Sequence, residues 1–363
     1  MTSAAISASD LRTLLEQGRP LTIVDIRRPD DREWTIPGSV AIDAYDAVNA
    51  GQLGALADLA FDARPAVMVC GRGGTARRAA ELLRAQGVDA LTLDGGMHAW
   101  STAWNTAHAT VGGCEIVQVR RTGKGCLSYM VASNDAAVVI DASLAPDVYD
   151  ELLRTLGWRL VAVVDTHIHA DHLSRSRDLA EMAGAPLYLP ANDRVRFGFR
   201  ALNDLDRIQI GRSQLVAWRT PGHTAESTTY VLDNLASFTG DSLFIDGVGR
   251  PDLHGSKAQA RANAALLYSS LGRLLQLPPS TLVFPGHVAA PIPFDNVQLS
   301  STIDRAGRMP LLRMTEAQFV SAVTERMPPL PANHERIIAA NEVGEWPQGA
   351  QDLEAGPNRC AIS

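Results

Sequence analysis

Cysteine is scarce in this 363-residue chain: four residues, Cys70, Cys114, Cys126 and Cys360, with no C-x-x-C spacing among them. That argues against a disulfide framework and fits a reducing cytoplasm, in which a single thiol can be reactive. Positive charge is not in excess either. Lysine and arginine number 33 against 40 aspartates and glutamates, for a net charge of -7. A nucleic acid or an anionic membrane surface is therefore not the expected partner. No apolar run reaches the length of a membrane span. The opening stretch, MTSAAISASDLRTLLEQG, lacks a basic region followed by an apolar one, so no signal peptide is expected. Internal repeats and low-complexity runs are also missing. What remains is ordinary for soluble globular protein, 46% hydrophobic and 20% charged, at a length that suggests two domains.

The densest chemistry lies between Asp165 and His172, DTHIHADH. It follows an apolar run, LVAVV, that reads as a buried strand. Three of the chain's nine histidines stand within six residues here, interleaved with Asp171. Imidazole and carboxylate are ligands of zinc and iron, so the spacing points to a metal. The alternative is a polar strand end with a satisfied core histidine.

Upstream, strand, helix and strand signals alternate from the N-terminus to about Trp104, which predicts a small α/β domain with parallel pairing. LTIVDIR, ARPAVMVC and VDALTLDGG read as strands, and ARRAAELLRAQG as a helix. The run ARPAVMVC ends at Cys70 and opens through Gly71, Arg72, Gly73, Gly74 and Thr75 into that helix. A cysteine there faces backbone N–H groups and a helix N-terminus, which favour a nucleophilic thiolate able to hold an anionic sulfur. Arg72, Arg77 and Arg78 add positive charge nearby; a buried structural cysteine is the competing reading.

This segment resembles a rhodanese (sulfurtransferase) domain on VDIRRPDDREWTIPGSVAID, VMVCGRGGTARRAAELL and LDGGMHAW. The resemblance implies that Cys70 forms a persulfide and that residues 71–75 cradle it, with Asp25 and Arg27 structural. Many single-domain members carry arginine directly after the cysteine and at the loop's end, where this chain has Gly71 and Thr75. The loop is closer to the mercaptopyruvate type, and the sulfur donor stays open.

Beyond a linker expected at 105–112, paired strands should turn at Thr122-Gly123 and Asn134-Asp135, and APDVYDELLRTLGW should form an amphipathic helix. Three further strand ends each carry a glycine and a possible ligand: Thr220-Pro221-Gly222-His223, Thr239-Gly240-Asp241 and Phe284-Pro285-Gly286-His287. Glycine at such a turn lets the backbone deliver a side chain into a crowded site. Together with THIHADH, these make the segment similar to metallo-β-lactamase-fold domains. The resemblance implies two face-to-face sheets between outer helices, an αββα sandwich with the metal at one edge.

Within that superfamily, Gly247-Val248-Gly249-Arg250-Pro251-Asp252 follows the pattern of persulfide dioxygenases of the ethylmalonic-encephalopathy protein type. By this resemblance one Fe(II) per chain would be held by His167, His223 and Asp241, a set that leaves coordination positions for O2 and substrate. His169, Asp171, His172 and His287 would orient the ligands or form a second metal position. Arg250 would hold an anionic part of the substrate, such as a glutathione carboxylate, with a salt bridge to Asp252 as the alternative. Family members usually carry Asp-Tyr after the last histidine; here Val288-Ala289 stand there. The identity of the persulfide therefore stays open.

The expected organisation is a rhodanese-like domain over 1–104, a linker over 105–112, the metallo-β-lactamase-fold domain over 113–293 and a short helical extension over 294–363 packed on the second domain. A capped helix should start at Thr315, and Cys360 should pack near the end, with redox sensitivity near the active site as the alternative. The expected activity is oxidation of glutathione persulfide or a related persulfide by O2 to sulfite and thiol, coupled to sulfane-sulfur transfer through Cys70 from thiosulfate or another donor. The alternative is a zinc-dependent glyoxalase II-like thioester hydrolase with a thiol-binding or sulfur-relay domain attached. Neither reading calls for nucleic acid or a membrane, and both allow a homodimer.

Overall fold

The structure is a computed structural model that describes residues 4–362 apart from Asp62, His254, Arg326, Pro328, Pro331, Ala332, Ala355 and Pro357. His254 and part of the proline-rich crossing read from the sequence thus lie outside the described residues.

The chain opens with β1 (Ala5–Ile6), α1 (Ala8–Glu16), β2 (Thr22–Asp25), β3 (Val40–Ala41), α2 (Tyr45–Asn49), β4 (Ala66–Val69), α3 (Gly74–Ala85), β5 (Ala90–Leu93) and α4 (Gly96–Trp100). The five strands form one parallel sheet in the order β1-β5-β4-β2-β3. Central β4 explains why its sequence is apolar without alternation: Ala66 and Met68 pack with Ala76, Ala79 and Leu83 of α3 on one face. Val67 and Val69 meet Leu11 and Trp100 on the other. Side chains alternate between faces, and both faces are covered.

A second unit follows: β6 (Asn105–Val111), β7 (Cys114–Arg120), β8 (Leu127–Ser133), β9 (Ala136–Ile140), α5 (Pro146–Leu156), β10 (Arg159–Val164), α6 (Ser176–Ala183), β11 (Leu187–Pro190) and β12 (Arg200–Leu202). Next come β13 (Arg207–Ile210), β14 (Ser213–Arg219), β15 (Thr228–Leu232), β16 (Ala236–Gly240), β17 (Val248–Gly249), α7 (Lys257–Leu274), β18 (Leu282–Pro285) and β19 (Ser301–Thr302). Strands β6 to β12 build a seven-stranded sheet in sequential order, and β13-β14-β15-β16-β18-β19 build a second. Val131, Val138, Ile140 and Val164 of the first sheet pack on Leu215, Tyr230, Phe238 and Phe284 of the second. α5 and α6 cover the outer face of the first sheet, and α7 covers that of the second.

The stretch 105–112, expected as a linker, is for the most part strand β6, paired along its length with β7. Its alternation is real but weak, because the inward side chains are small (Ala107, Ala109, Val111). Gly112 and Gly113 both take positive φ, 58° and 82°, as a two-residue hairpin turn between twisted strands requires.

The chain ends with α8 (Ile303–Ala306), α9 (Glu316–Glu325), α10 (His334–Val343), α11 (Ala350–Leu353) and β20 (Ala361–Ile362). Phe319, Val320 and Val323 of α9 join Leu267 and Leu271 of α7. β20 pairs antiparallel with β17. This extension lies on the second domain and also reaches the first, where Asp352 Oδ1 accepts from Arg72 Nη2 at 2.9 Å and lies 2.8 Å from His98 Nε2. The two domains meet directly as well. Trp34 Nε1–H donates to the Thr122 carbonyl at 2.9 Å, and buried Arg121 donates through Nε to the Ser101 carbonyl at 2.8 Å. Among the described residues no helix is long and apolar enough to cross a membrane.

Candidate metal centre and sulfur loop

Four strand ends converge on one edge of the sandwich. β10 delivers His167, His169, Asp171 and His172; β14 delivers His223; β16 delivers Asp241; β18 delivers His287. All seven side chains are buried. The approach is close enough that a Cβ on Gly286 would lie 2.5 Å from Asp241 Oδ1, so glycine is required at that turn.

The hydrogen bonds sort the histidines by which nitrogen is left over. His223 Nδ1 lies 2.9 Å from the Arg250 carbonyl, which can only accept, so Nδ1 carries the hydrogen and Nε2 a lone pair. His287 Nδ1 likewise donates to Asp241 Oδ1 at 3.0 Å, and His172 Nδ1 to Asp171 Oδ1 at 3.0 Å. His167 Nδ1 sits 2.9 Å from Thr166 Oγ1, whose own proton goes to Asp141 Oδ2 at 2.9 Å. Its Nε2 is therefore also a lone pair. These four Nε2 atoms and Asp241 Oδ2 are buried and have no hydrogen-bond partner. Asp241 Oδ2 is 3.4 Å from His223 Nε2 and 3.8 Å from His167 Nε2.

His169 is the exception. It spends Nε2 on Asp141 Oδ1 at 3.2 Å, on the side where Asp165 also stands. Burial alone would lower its pKa, but Asp141, Asp165 and Asp171 raise it to about 10. His167 and His223 move the other way, burial holding both below the usual imidazole value. Burial would raise the Asp241 carboxyl, yet His287 and then His167 and His223 hold it below the usual range.

Buried acceptors that face one another without a donor are costly, and a cation is what satisfies them. The residues therefore fit a metal ion at His167, His223 and Asp241, while His169 gives its Nε2 to Asp141. Asp171, His172 and His287 stand beside this group with lone pairs of their own. Thr166, Asp141 and the Arg250 carbonyl supply the outer bonds that fix ring orientation.

Two residues at this edge, Cys126 and Asn358, were not predicted from the sequence, and a third, Cys360, was expected first as a packing residue. Cys126 Sγ donates to Asp171 Oδ2 at 3.2 Å, and Asn358 Nδ2 donates to the same oxygen at 2.5 Å. Cys360 brings its sulfur within 4.8 Å of ligand atoms of Asp241 and His287. Burial, then Asp171 for Cys126 and Asp241 for Cys360, pushes both thiols well above their usual pKa. No local pattern marks these residues, because each arrives from a segment remote from the strand ends.

Arg250, expected to hold a substrate anion, closes instead on the chain. It is fully buried, pairs with Asp252 through Nε at 2.7 Å and Nη2 at 2.9 Å, and donates to the carbonyls of Pro329 and Arg359 at 3.0 Å each. A cleft of about 500 Å³ opens beside His287, lined by Phe244, Val288, Ile292 and Ala361. Among the described residues its lining includes one carboxylate, Asp246, and no lysine or arginine.

In the first domain Cys70 lies at the end of β4, with Ala76 N–H donating to its sulfur at 3.4 Å. Gly73 takes φ 87° to begin α3. Residues 71–75 link the sulfur's strand to α3, and the arginines are partly committed: Arg72 to Asp352, Arg78 to Asn49 at 3.2 Å, and Arg77 near Asp94. Asp25 and Arg27 form a buried structural pair at 2.6 Å. A cavity of about 390 Å³ between the domains is lined by Gly71 and Arg72 on one side and by Gly123 and Gly356 on the other.

Comparison with known proteins agrees with this two-part architecture. Residues 121–287 match the metallo-beta-lactamase superfamily and residues 7–103 the rhodanese-like domain. "Persulfide dioxygenase ETHE1, mitochondrial" of Bos taurus is 30% identical over 60% of this chain and 84% of its own length. The hydroxyacylglutathione hydrolase of Rhodospirillum rubrum is 32% identical over 54% and 73%. Among solved structures, ETHE1 from Myxococcus xanthus aligns with a TM-score of 0.55 at 28% identity, over 62% of this chain and 97% of that one. A metallo-beta-lactamase from Staphylococcus aureus aligns at 0.59 with 22% identity, over 64% and 74%.

Proposed function

Because this chain belongs to the metallo-beta-lactamase superfamily and carries a rhodanese-like domain ahead of that fold, we propose that it is a two-part sulfur enzyme. Cys70 takes up sulfane sulfur from thiosulfate or another donor, and the metal centre oxidises a low-molecular-weight persulfide with O2 to sulfite and thiol. One Fe(II) per chain is held by His167, His223 and Asp241. The observation that carries this reading is the division within one motif: His167 keeps a free Nε2 beside those of His223 and Asp241 Oδ2, while His169 spends its Nε2 on Asp141. Two imidazoles and one carboxylate are the ligand set of non-haem iron oxygenases.

When bound, iron supplies a redox-active cation with open positions at which O2 and a sulfur ligand can meet. The chain's own residues do the rest. Thr166 and Asp141 fix the His167 ring, the Arg250 carbonyl fixes His223, and His287 holds one oxygen of Asp241 so that the other faces the centre. Burial of all these groups keeps bulk water from the reacting sulfur. Iron-loaded protein given glutathione persulfide should consume O2 and release sulfite; no uptake would overturn the dioxygenase assignment.

A second reading, a thioester hydrolase in which zinc would supply Lewis-acid chemistry, draws on the free Nε2 atoms of His172 and His287, which with Asp171 would help to hold it, and on the hydroxyacylglutathione hydrolase relatives. Turnover of a glutathione thioester by a zinc-loaded form, with no O2 uptake by the iron-loaded form, would favour it.

A further inference from the structure

We propose that a second cavity between the domains, on the side of α1 and α5, binds a small organic dianion, a dicarboxylate or a phosphate ester. The proposal stands apart from the metal and from the Cys70 sulfur, because the residues that build this site belong to neither.

The cavity holds about 550 Å³, within the range of metabolite sites. Three arginines line it from separate parts of the chain: Arg12 of α1, Arg121 just after β7, and Arg175 just before α6. Among the described lining residues one carboxylate meets them, Glu354, at 3.2 Å from Arg121 and 3.6 Å from Arg175. Arginine stays protonated at any working pH, so the lining keeps a surplus of positive charge.

Two of the arginines are held by rings. The Arg12 guanidinium lies 3.8 Å from the centroid of Trp104, and that of Arg175 lies 4.7 Å from Trp346. Such contacts fix a guanidinium without spending its N–H donors. Arg12 gives Nη2 to Glu16 at 3.2 Å on the exposed side, yet its Nε is buried with no hydrogen-bond partner. Ser143 belongs to the same lining, is 3% exposed, and also has an Oγ without a partner. Buried polar atoms left in this way are uncommon, and each marks a place for a ligand's acceptor.

The first turn of α5 borders the same space. Ala145 and Val148 line the cavity, and Ala145 at the N-cap supplies no side-chain cap. The helix therefore brings orphan N–H groups and the positive end of its dipole to the site, a second source of attraction for an anion. Val148 and Trp104 give a carbon skeleton an apolar wall, which favours an organic anion over a bare inorganic one.

Donors come from both domains, Arg12 from the first and Arg121, Ser143, Arg175 and α5 from the second. The full set exists only while the domains are docked, so the ligand favours the docked arrangement by mass action.

Calorimetric titration of the full-length protein with succinate and, separately, with glycerol 3-phosphate tests the proposal. Saturable binding of at least one probe, with a raised unfolding temperature, is expected, and the tighter of the two identifies the acid group. Arg12→Gln should weaken that binding about 10-fold or more, as for loss of one charge-assisted bond. Ser143→Ala should weaken it too, while the unliganded unfolding temperature stays at or above the wild-type value, because the hydroxyl removed has no partner in the free protein. Arg72→Gln, at the Cys70 loop, should bind as the wild type does. No saturable binding of either probe would overturn the proposal, as would undiminished binding in both Arg12→Gln and Ser143→Ala. Loss of binding in Arg72→Gln would also overturn it, by placing the anion at the sulfur loop.

Discussion

The Cys70 loop and the metal edge are built on opposite principles. The first is local: Cys70 ends β4, the loop that follows leads directly into α3, and the Ala76 N–H of that helix donates to the sulfur. The second is assembled: four strand ends and a C-terminal tail, spread from Cys126 to Cys360, contribute one or a few side chains each. A site made of backbone depends on chain geometry, whereas a site made of side chains depends on the bonds that aim them. His167 and His169 show how much those bonds decide. They sit two residues apart with ring centroids 4.3 Å apart, yet one faces the centre and the other is bound to Asp141.

If the two sites are separable, each can be broken alone. Cys70→Ser should abolish thiosulfate-to-cyanide sulfur transfer while metal content stays at the wild-type level. Asp241→Ala should lose more than about 100-fold in metal affinity, beyond the range seen for outer-shell changes, and should keep cyanide-dependent transfer. Loss of both functions in either variant would contradict separate sites. Glu354 and Arg121 lie at the junction and are both nearly fully buried, 3.2 Å apart. Glu354→Gln should cost about 3–5 kcal/mol in denaturant unfolding, because it leaves a buried charge unpaired. Burial would raise the Glu354 pKa, but Arg121 and Arg175 hold it below the usual carboxylate value. Its stabilisation is therefore present above the ordinary pKa of about 4.3 and is lost as pH falls through the folded value. Glu354→Gln should flatten the acid limb of the stability profile.

Smaller effects sharpen the contrast. Thr166→Val keeps shape but removes the bond to His167 Nδ1, and metal affinity should fall about 10–100-fold by competition with a chelator, with sulfur transfer unaffected. Trp34→Phe removes one interdomain hydrogen bond to Thr122. It should cost about 1 kcal/mol and leave both activities near wild type; a large loss in either would mean that domain docking is part of the chemistry.

The two sites differ in legibility for the same reason. Cys70 and its glycine loop are contiguous, so the fold of the first domain and the place of this loop in it could be read from pattern alone. The strand ends bearing His167, His223, Asp241 and His287 were readable because each follows an apolar run and a turn. The helix α7 passed unread, its apolar residues being diluted by alanines and serines. Strand β6 hid behind small side chains. Cys126 and Asn358 were illegible as site residues, since only tertiary packing brings them to Asp171. Arg250 was legible as a special residue, but its partners Arg359 and Pro329 lie far along the chain.

The assignment of iron to His167, His223 and Asp241 is the claim on which the rest depends. Metal analysis of the full chain, purified without added metal, tests it most directly. One iron per chain, lost in Asp241→Ala and retained in His169→Ala, is the predicted result. One or two zinc ions per chain, with loss on replacing His169, would contradict it.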